Sequence, residues 1–338
     1  MLKRQIKELW QLCFNESKSF TELYFTYRYN NDVNIYIQSG EAVISALQML
    51  PYPMTFCGNE IQTSYISGAC THPDYQRRGV MRELLSQAFA RMQSQGILFS
   101  TIIPANNQLF NYYSKSGYAT VFNYLEEEKL LADVATNNKG LKIDTHTTYR
   151  EDIYNYFLLK MEERSCCIQH TANDFNVILA DLRLESGNVF VASHGKTICG
   201  LAICYPDNQT LRVGELLADN DEVEKELLHS ACKQWSCDKI SITRPANSKT
   251  KAERLGMIRI IDAKKVLQLF AAAFPQAEMN IELTDDTLAA NNGYYYVNNG
   301  KCMKSEDRLP GVHQRINVEE LALTIFDQLH PYMSLMLN

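Results

Sequence analysis

The stretch Ser67-Gly-Ala-Cys-Thr-His-Pro-Asp-Tyr-Gln-Arg-Arg-Gly-Val-Met-Arg-Glu-Leu-Leu85 restricts the fold more than any other part of the chain. A strand-like run from Gln62 to Cys70 is stopped by Thr71-His72-Pro73, because proline has no N–H to give a sheet ladder. After a short turn, Val80, Leu84, Leu85, Ala88, Phe89 and Met92 recur at helical spacing, and Gly96 supplies a stop. The first N–H groups of such a helix lack internal partners and stand at the positive end of its dipole, so they attract an anion. Gly79 lets the backbone approach a phosphate closely, and Arg77, Arg78 and Arg82 add positive charge. Those parts suit a pyrophosphate.

The surrounding pattern is mixed α/β. Helical spacing covers Ile6 to Phe14. Strands are expected over Asn34–Gln38 and, after the turn Ser39-Gly40, over Glu41–Leu50. Ile97 to Ile103 reads as a buried parallel strand, Asn107 to Ser116 as a short helix ended by Gly117, and Tyr118 to Tyr124 as a strand. From Glu126 to Lys142 the pattern lapses into EEEKLLADVATNNKG, which marks a boundary. Ile97–Gly117 and Ile240–Gly256 then share an order: strand, Pro-Ala-Asn, a helix bearing a basic residue, glycine. An amphipathic helix precedes each (Val223–Trp235 in the second), which points to duplication. Beyond Asp262 a helix (Val266–Ala273), two strands (Met279–Leu283, Gly293–Val297) and a closing helix (Val318–Leu329) form a smaller α/β unit.

A chain of 338 residues calls for two or three domains, and 46% apolar with 21% charged residues excludes disorder. With net charge −6 and no basic stripe, a nucleic-acid partner is not expected. No run approaches the roughly 20 apolar residues of a membrane span, and Lys7 and Glu8 interrupt what would be a signal-peptide core. Ten cysteines without a CxxC pair read as reduced thiols of a cytoplasmic protein. Cys166 and Cys167 lie near His170, but a zinc site draws four spaced ligands and the others are missing, so no metal is expected.

Gln76-x-x-Gly79-x-Met81 after a strand, with a second strand and a tyrosine-bearing helix some way on, resembles the acetyl-CoA loop of the GNAT N-acetyltransferases. Met81 departs from the small residue usual at the last place. The wider layout resembles the Eis (enhanced intracellular survival) acetyltransferases. It implies tandem GNAT folds, each a mixed central sheet flanked by helices, followed by a sterol-carrier-like domain. The corresponding bounds are 1–128 (catalytic), 129–261 (degenerate copy) and 262–338. In the second copy the helix opens as Asp219-Asn-Asp-Glu222, acidic where phosphate would bind, so its role is structural.

The resemblance implies acetyl-CoA as co-substrate and direct transfer to a primary amine, on a cationic small molecule or a lysine, in a ternary complex. The pyrophosphate would lie on Arg77, Arg78, Gly79, Val80, Met81 and Arg82, and the pantetheine arm along Ala69, Cys70 and Thr71. The N–H of Cys70 would hold the oxyanion, and Asn106 or Asn107 would contact the cofactor. Tyr113-Ser-Lys-Ser-Gly117-Tyr118 matches the family's Tyr-x-x-x-Gly-Tyr helix, whose first tyrosine protonates the departing thiolate. Tyr112 is the rival, about 100° round the helix. The α-carboxylate of Asn338 would be the general base, and a homo-oligomer is implied. The aromatics from Phe14 to Tyr36 would cover the acceptor. The alternative is an apolar-ligand-binding module with a vestigial acetyltransferase domain.

Overall fold

In the computed structural model, which describes residues 1–134, 140–246 and 252–337, the leading segment runs α1 (Leu2–Cys13), α2 (Lys18–Tyr27), β1 (Asn34–Ser39), β2 (Ala42–Phe56), β3 (Asn59–Thr71), α3 (Val80–Ser94), β4 (Phe99–Ile102), α4 (Asn107–Ser114) and β5 (Ala119–Leu130). Next come β6 (Lys142–His146), α5 (Glu151–Glu162), β7 (Cys167–Ile168), α6 (Ala172–Leu184), β8 (Asn188–His194), β9 (Thr197–Asp207), β10 (Thr210–Ala218), α7 (Asp221–Trp235) and β11 (Lys239–Pro245). The chain then forms β12 (Glu253–Ile260), α8 (Ala263–Ala273), β13 (Met279–Thr284), β14 (Gly293–Asn298), β15 (Lys301–Ser305), β16 (Gln314–Asn317) and α9 (Val318–Phe326). Helix starts follow local chemistry. The Ser17 side chain accepts the Phe20 N–H before α2, and Thr171 with Asp174, and Asn317 with Glu320, form capping boxes before α6 and α9.

These elements gather into two compact units, one of Met1–Phe122 with Leu255–Pro331, the other of Asn123–Arg254 with Tyr332–Leu337. In the first, the strand order is β1-β2-β3-β4-β12-β5. Strand β12, late in sequence, pairs antiparallel with β4 through Met257–Ile260 against Ile102–Phe99. Helix α3 covers one face of this sheet, with Leu84, Leu85, Ala88, Phe89 and Met92 against Leu47, Met49, Ile66 and Ile102. Helices α1 and α2 cover the other, where Ile6, Leu9, Trp10, Tyr24 and Phe25 meet Val43, Ala46 and Cys70. The same unit holds the small sheet β15-β14-β13-β16, whose alternate residues Ile281, Leu283, Tyr295, Val297 and Ile316 are buried.

In the second unit the order is β5-β11-β10-β9-β8-β6. Helix α7 packs Leu227, Leu228 and Ala231 on one face, and α5 and α6 pack Phe157, Met161, Phe175 and Ile178 on the other.

Two expectations are corrected. The charge run Glu126–Glu128 is strand, because β5 continues to Leu130 paired with β11, and Arg244 bonds the Glu127 carboxylate at 2.8 Å. Gly256 ends no helix but lies inside β12. Asn247 of the second Pro-Ala-Asn, and the residues following it to 251, lie outside the described residues.

Candidate active site

Strand β3 pairs with β4 only through Thr63–Tyr65 against Phe99–Thr101. It then runs on to Thr71, while β4 ends at Ile102. Beyond the Tyr65–Thr101 rung the two parallel strands no longer pair, so the β3 backbone from Ile66 to Thr71 has no strand partner on its β4 side among the described residues.

That end is reshaped by a β-bulge. Cys70 pairs with Ala46 and Ser67 with Gln48, so Gly68 and Ala69 stand opposite Leu47 alone. Gly68 has φ +61°, and a Cβ there would sit inside the ring of Trp10, so only glycine fits. The extra residue reverses the alternation. Ala69 packs with the α3-side core, and Cys70, not Ala69, joins Trp10, Val43 and Ala46 on the α1–α2 side.

From Thr71 the chain enters the turn singled out by the sequence. Gln76 Nε2 donates to the Thr71 carbonyl at 3.1 Å, and the Asp74 N–H reaches His72 Nδ1 at 3.3 Å, so side chains close the loop on itself. Arg77 has φ +61° and Gly79 φ +81°. Gly79 caps α3 without a side chain, so the first N–H groups of that helix meet no capping oxygen. Arg77, Arg78, Gly79 and Arg82 are exposed, a Cβ on Gly79 would meet nothing within 4 Å, and Arg78 lies over the Tyr75 ring at 5.5 Å. Val80 and Met81 are half-buried, and Met81 packs on the α3-side core.

Helix α4 follows β4. The Asn106 carboxamide oxygen caps it, accepting the N–H of Gln108 at 3.0 Å and of Leu109 at 3.3 Å. That oxygen is committed to the helix, while Asn107 occupies its exposed first turn. Tyr113 is 5% exposed, and its hydroxyl has no hydrogen-bond partner among the described residues. Burial raises its phenol above the ordinary value, with Tyr112 and Cys70 adding to the shift, so it keeps its proton at neutral pH. Tyr112 is 39% exposed and lies within reach of the Arg82 charge. The two tyrosines divide as helical geometry requires: Tyr113 toward the strand end, Tyr112 toward the loop.

The Cys13 thiol, hydrogen-bonded to Cys70, and burial together push the Cys70 thiol well above its usual range, so it stays a poor nucleophile. Ala69, Met81 and Tyr113 pack in one cluster, and Tyr113 lies within electrostatic reach of Cys70, so these residues gather near the end of β3. Asn338 lies outside the described residues. Trp10, whose fit against Gly68 shapes the bulge, was not singled out from sequence. Its signal was only a helix spacing shared with any core residue. Among the described residues, no group of three or more His, Cys, Asp or Glu side chains could hold a metal ion.

Residues 3–121 match the family model described as an acetyltransferase (GNAT) domain. That segment is therefore an acetyltransferase (GNAT) domain within the chain. The match includes β3, the turn and Tyr113. Among solved structures, the chain resembles a GCN5-related N-acetyltransferase from Anabaena variabilis, at 17% identity over 98% of this chain and 96% of that one, with TM-score 0.78. It also resembles a conserved protein of unknown function, described as a probable N-acyltransferase, from Enterococcus faecalis (15% identity, 98% and 96% covered, TM-score 0.77). Eis1 from Mycobacterium abscessus is similar at 12% identity over 96% of this chain and 87% of that one, with TM-score 0.74. These likenesses show a shared fold, a mixed sheet flanked by helices, over nearly the whole chain. No curated protein matches the chain in sequence. No helix among the described residues is long and apolar enough to cross a membrane.

Proposed function

We propose that the chain moves an acetyl group from acetyl-CoA directly to a primary amine, of a cationic small molecule or a lysine, with both substrates bound together. The end of β3–β4 pairing after the Tyr65–Thr101 rung carries this reading, because the strand so freed leads straight into the open turn at Gly79. An extended pantetheine arm can pair with Ala69–Thr71 as an added strand. The pyrophosphate then reaches the N–H groups of Gly79–Arg82 and the charges of Arg77, Arg78 and Arg82.

Within that complex the amine attacks the thioester carbonyl and the oxyanion takes the Cys70 N–H. The carbon–sulfur bond breaks and the thiolate takes the Tyr113 proton. The proton leaving the amine goes to the α-carboxylate of Asn338, an assignment that rests on the likeness to the Eis enzymes. The same likeness supports a division at 1–128, 129–261 and 262–338, with the last part sterol-carrier-like.

A panel of primary amines assayed for thiol release from acetyl-CoA tests the reading. At least one amine should be turned over, and Gly79→Asp should abolish both turnover and acetyl-CoA binding by setting a negative charge against phosphate. Tight acetyl-CoA binding by Gly79→Asp would refute the placement.

A further inference from the structure

Thr63, Tyr65 and Ser67 alternate along β3 onto the face where α1 and α2 pack. Thr63 Oγ1 donates to the Tyr52 carbonyl at 2.9 Å, and Tyr24 Oη donates to Ser67 Oγ at 2.8 Å. Tyr65, between them, is different. It is 3% exposed, its ring meets that of Tyr52 edge-on at 6.1 Å, and its hydroxyl makes no hydrogen bond among the described residues.

Its partner across the ladder shares the anomaly. Thr101 is fully buried, and its Oγ1 has no hydrogen-bond partner. Directly paired residues of neighbouring strands project to the same face, so the buried, partnerless Thr101 Oγ1 and the unbonded Tyr65 side chain sit side by side on the last rung of the β3–β4 pairing, with the Tyr65 hydroxyl itself not fully buried. Buried hydroxyls are nearly always bonded, and leaving one unmade is costly. Thr101 Oγ1 is such an exception, and beside it the Tyr65 hydroxyl is unbonded yet not fully buried, an arrangement that suits a partner arriving with the substrate. Tyr65 is also within electrostatic reach of Tyr113 and Tyr24. Tyr113 packs on the α3 side and Tyr65, by alternation, faces the α1–α2 side, so the two phenols approach this end of β3 from opposite faces.

We propose that Tyr65 is a further substrate-contacting residue, whose hydroxyl oxygen accepts an N–H of the acceptor amine at the last rung of the β3–β4 pairing, with Thr101 Oγ1 beside it. The inference rests on the acetyl-transfer reading and adds a named contact on the α1–α2 face, the side on which the resemblance already sets the acceptor. An oxygen accepting an N–H leaves the nitrogen lone pair free to point at the thioester.

Tyr65→Phe keeps the ring and removes only the hydroxyl. It should lower kcat/KM for the amine about tenfold, leave the acetyl-CoA Kd within twofold, and leave Tm unchanged or raised, since no internal hydrogen bond is lost. Thr101→Val should act in the same direction and more weakly. Wild-type kcat/KM for the amine in Tyr65→Phe would overturn the inference, as would a loss of acetyl-CoA affinity equal to the loss in kcat/KM. So would a fall in Tm, which is what a purely structural tyrosine would give. If Gly79→Asp abolishes acetyl-CoA binding while Tyr65→Phe stays silent, this inference alone fails. If the wild-type chain acetylates no amine, the transfer reading fails and the inference with it.

Discussion

Tyr113 and Tyr112 are neighbours in sequence with opposite surroundings, and the difference decides which can serve a leaving thiolate. Tyr113 is buried, carries no hydrogen bond among the described residues, and lies close enough to Cys70 for their charges to interact. Tyr112 is half-exposed and answers to Arg82. Tyr113→Phe should therefore lower kcat by about a hundredfold, the scale of a lost general acid, with acetyl-CoA affinity nearly intact. Tyr112→Phe should leave kcat within severalfold. Steady-state kinetics beside calorimetric acetyl-CoA titration checks both, and equal effects of the two variants would contradict the division. Tyr113 was legible in the sequence because Gly117 and Tyr118 fix its place on a short helix. The place of Gly79 as the left-handed cap of α3 was legible because a glycine stands directly before the helical spacing that opens at Val80. Gly68 and Trp10 were not: one is a glycine in a strand, the other an apolar helix position, and their fit exists only after α1 packs on β3.

At the scale of elements, two bulges do the work that alternation alone would forbid. On β3 the extra residue at Gly68–Ala69 turns Cys70 to the α1–α2 face. On β10 Gly214 is the extra residue, since Val213 pairs with Cys204 and Glu215 with Ile203. Leu211 and Val213 face the α7 core, and without the bulge Glu215 would follow them into it. Instead Glu215, 1% exposed, turns to the other face and gathers the last residues of the described chain. It accepts Arg164 Nη2 at 2.9 Å, Tyr332 Oη at 3.0 Å and Ser334 Oγ at 2.6 Å, and His170 Nε2 lies 2.9 Å from the Ser334 carbonyl. Glu215→Ala would strand the Arg164 charge and two hydroxyls, so it should cost about 3–5 kcal/mol. Glu215→Gln, which keeps an acceptor, should cost less. Urea unfolding of the full chain measures the loss, and carboxypeptidase digestion should release the 332–337 segment faster from the alanine variant. An unchanged unfolding midpoint in Glu215→Ala would contradict the anchor. The sequence announced most helices and strands, because their apolar spacing is local. It hid both bulges, since Ser-Gly-Ala-Cys and Val-Gly-Glu-Leu break a pattern without saying which face follows, and it hid β5 beyond Tyr124 behind charges that pair only once β11 lies alongside.

For the molecule as a whole, the hardest feature to foresee is that β12, late in the chain, belongs to the leading sheet. It brings Arg259 into the first unit, fully buried, with its guanidinium 4.5 Å above the Phe89 ring. Arg259 donates to Asp285 at 2.8 and 3.2 Å, and Asp285 also accepts Asn291 Nδ2 and the N–H groups of Thr287 and Leu288. One ion pair thus joins the inserted strand to the loop after β13. A composition count cannot see this, because the partners stand far apart in sequence and each reads as an ordinary surface charge. Burial alone would raise the Asp285 pKa, but the Arg259 guanidinium overrides it and holds the carboxyl below the ordinary carboxylate range. The sign follows from linkage. A folded-state pKa below the unfolded one means that the unfolded chain binds the proton first, so the contribution is whole above the ordinary range, near pH 3.9. It drains away as pH falls through that value and below it. Asp285→Asn should therefore lower Tm most at neutral pH, and its deficit against the wild type should shrink steadily below about pH 4. Thermal melts across that range read the difference directly. A deficit that stays constant into acid would mean that shape at this junction, rather than the charge on Asp285, holds β12 in its sheet.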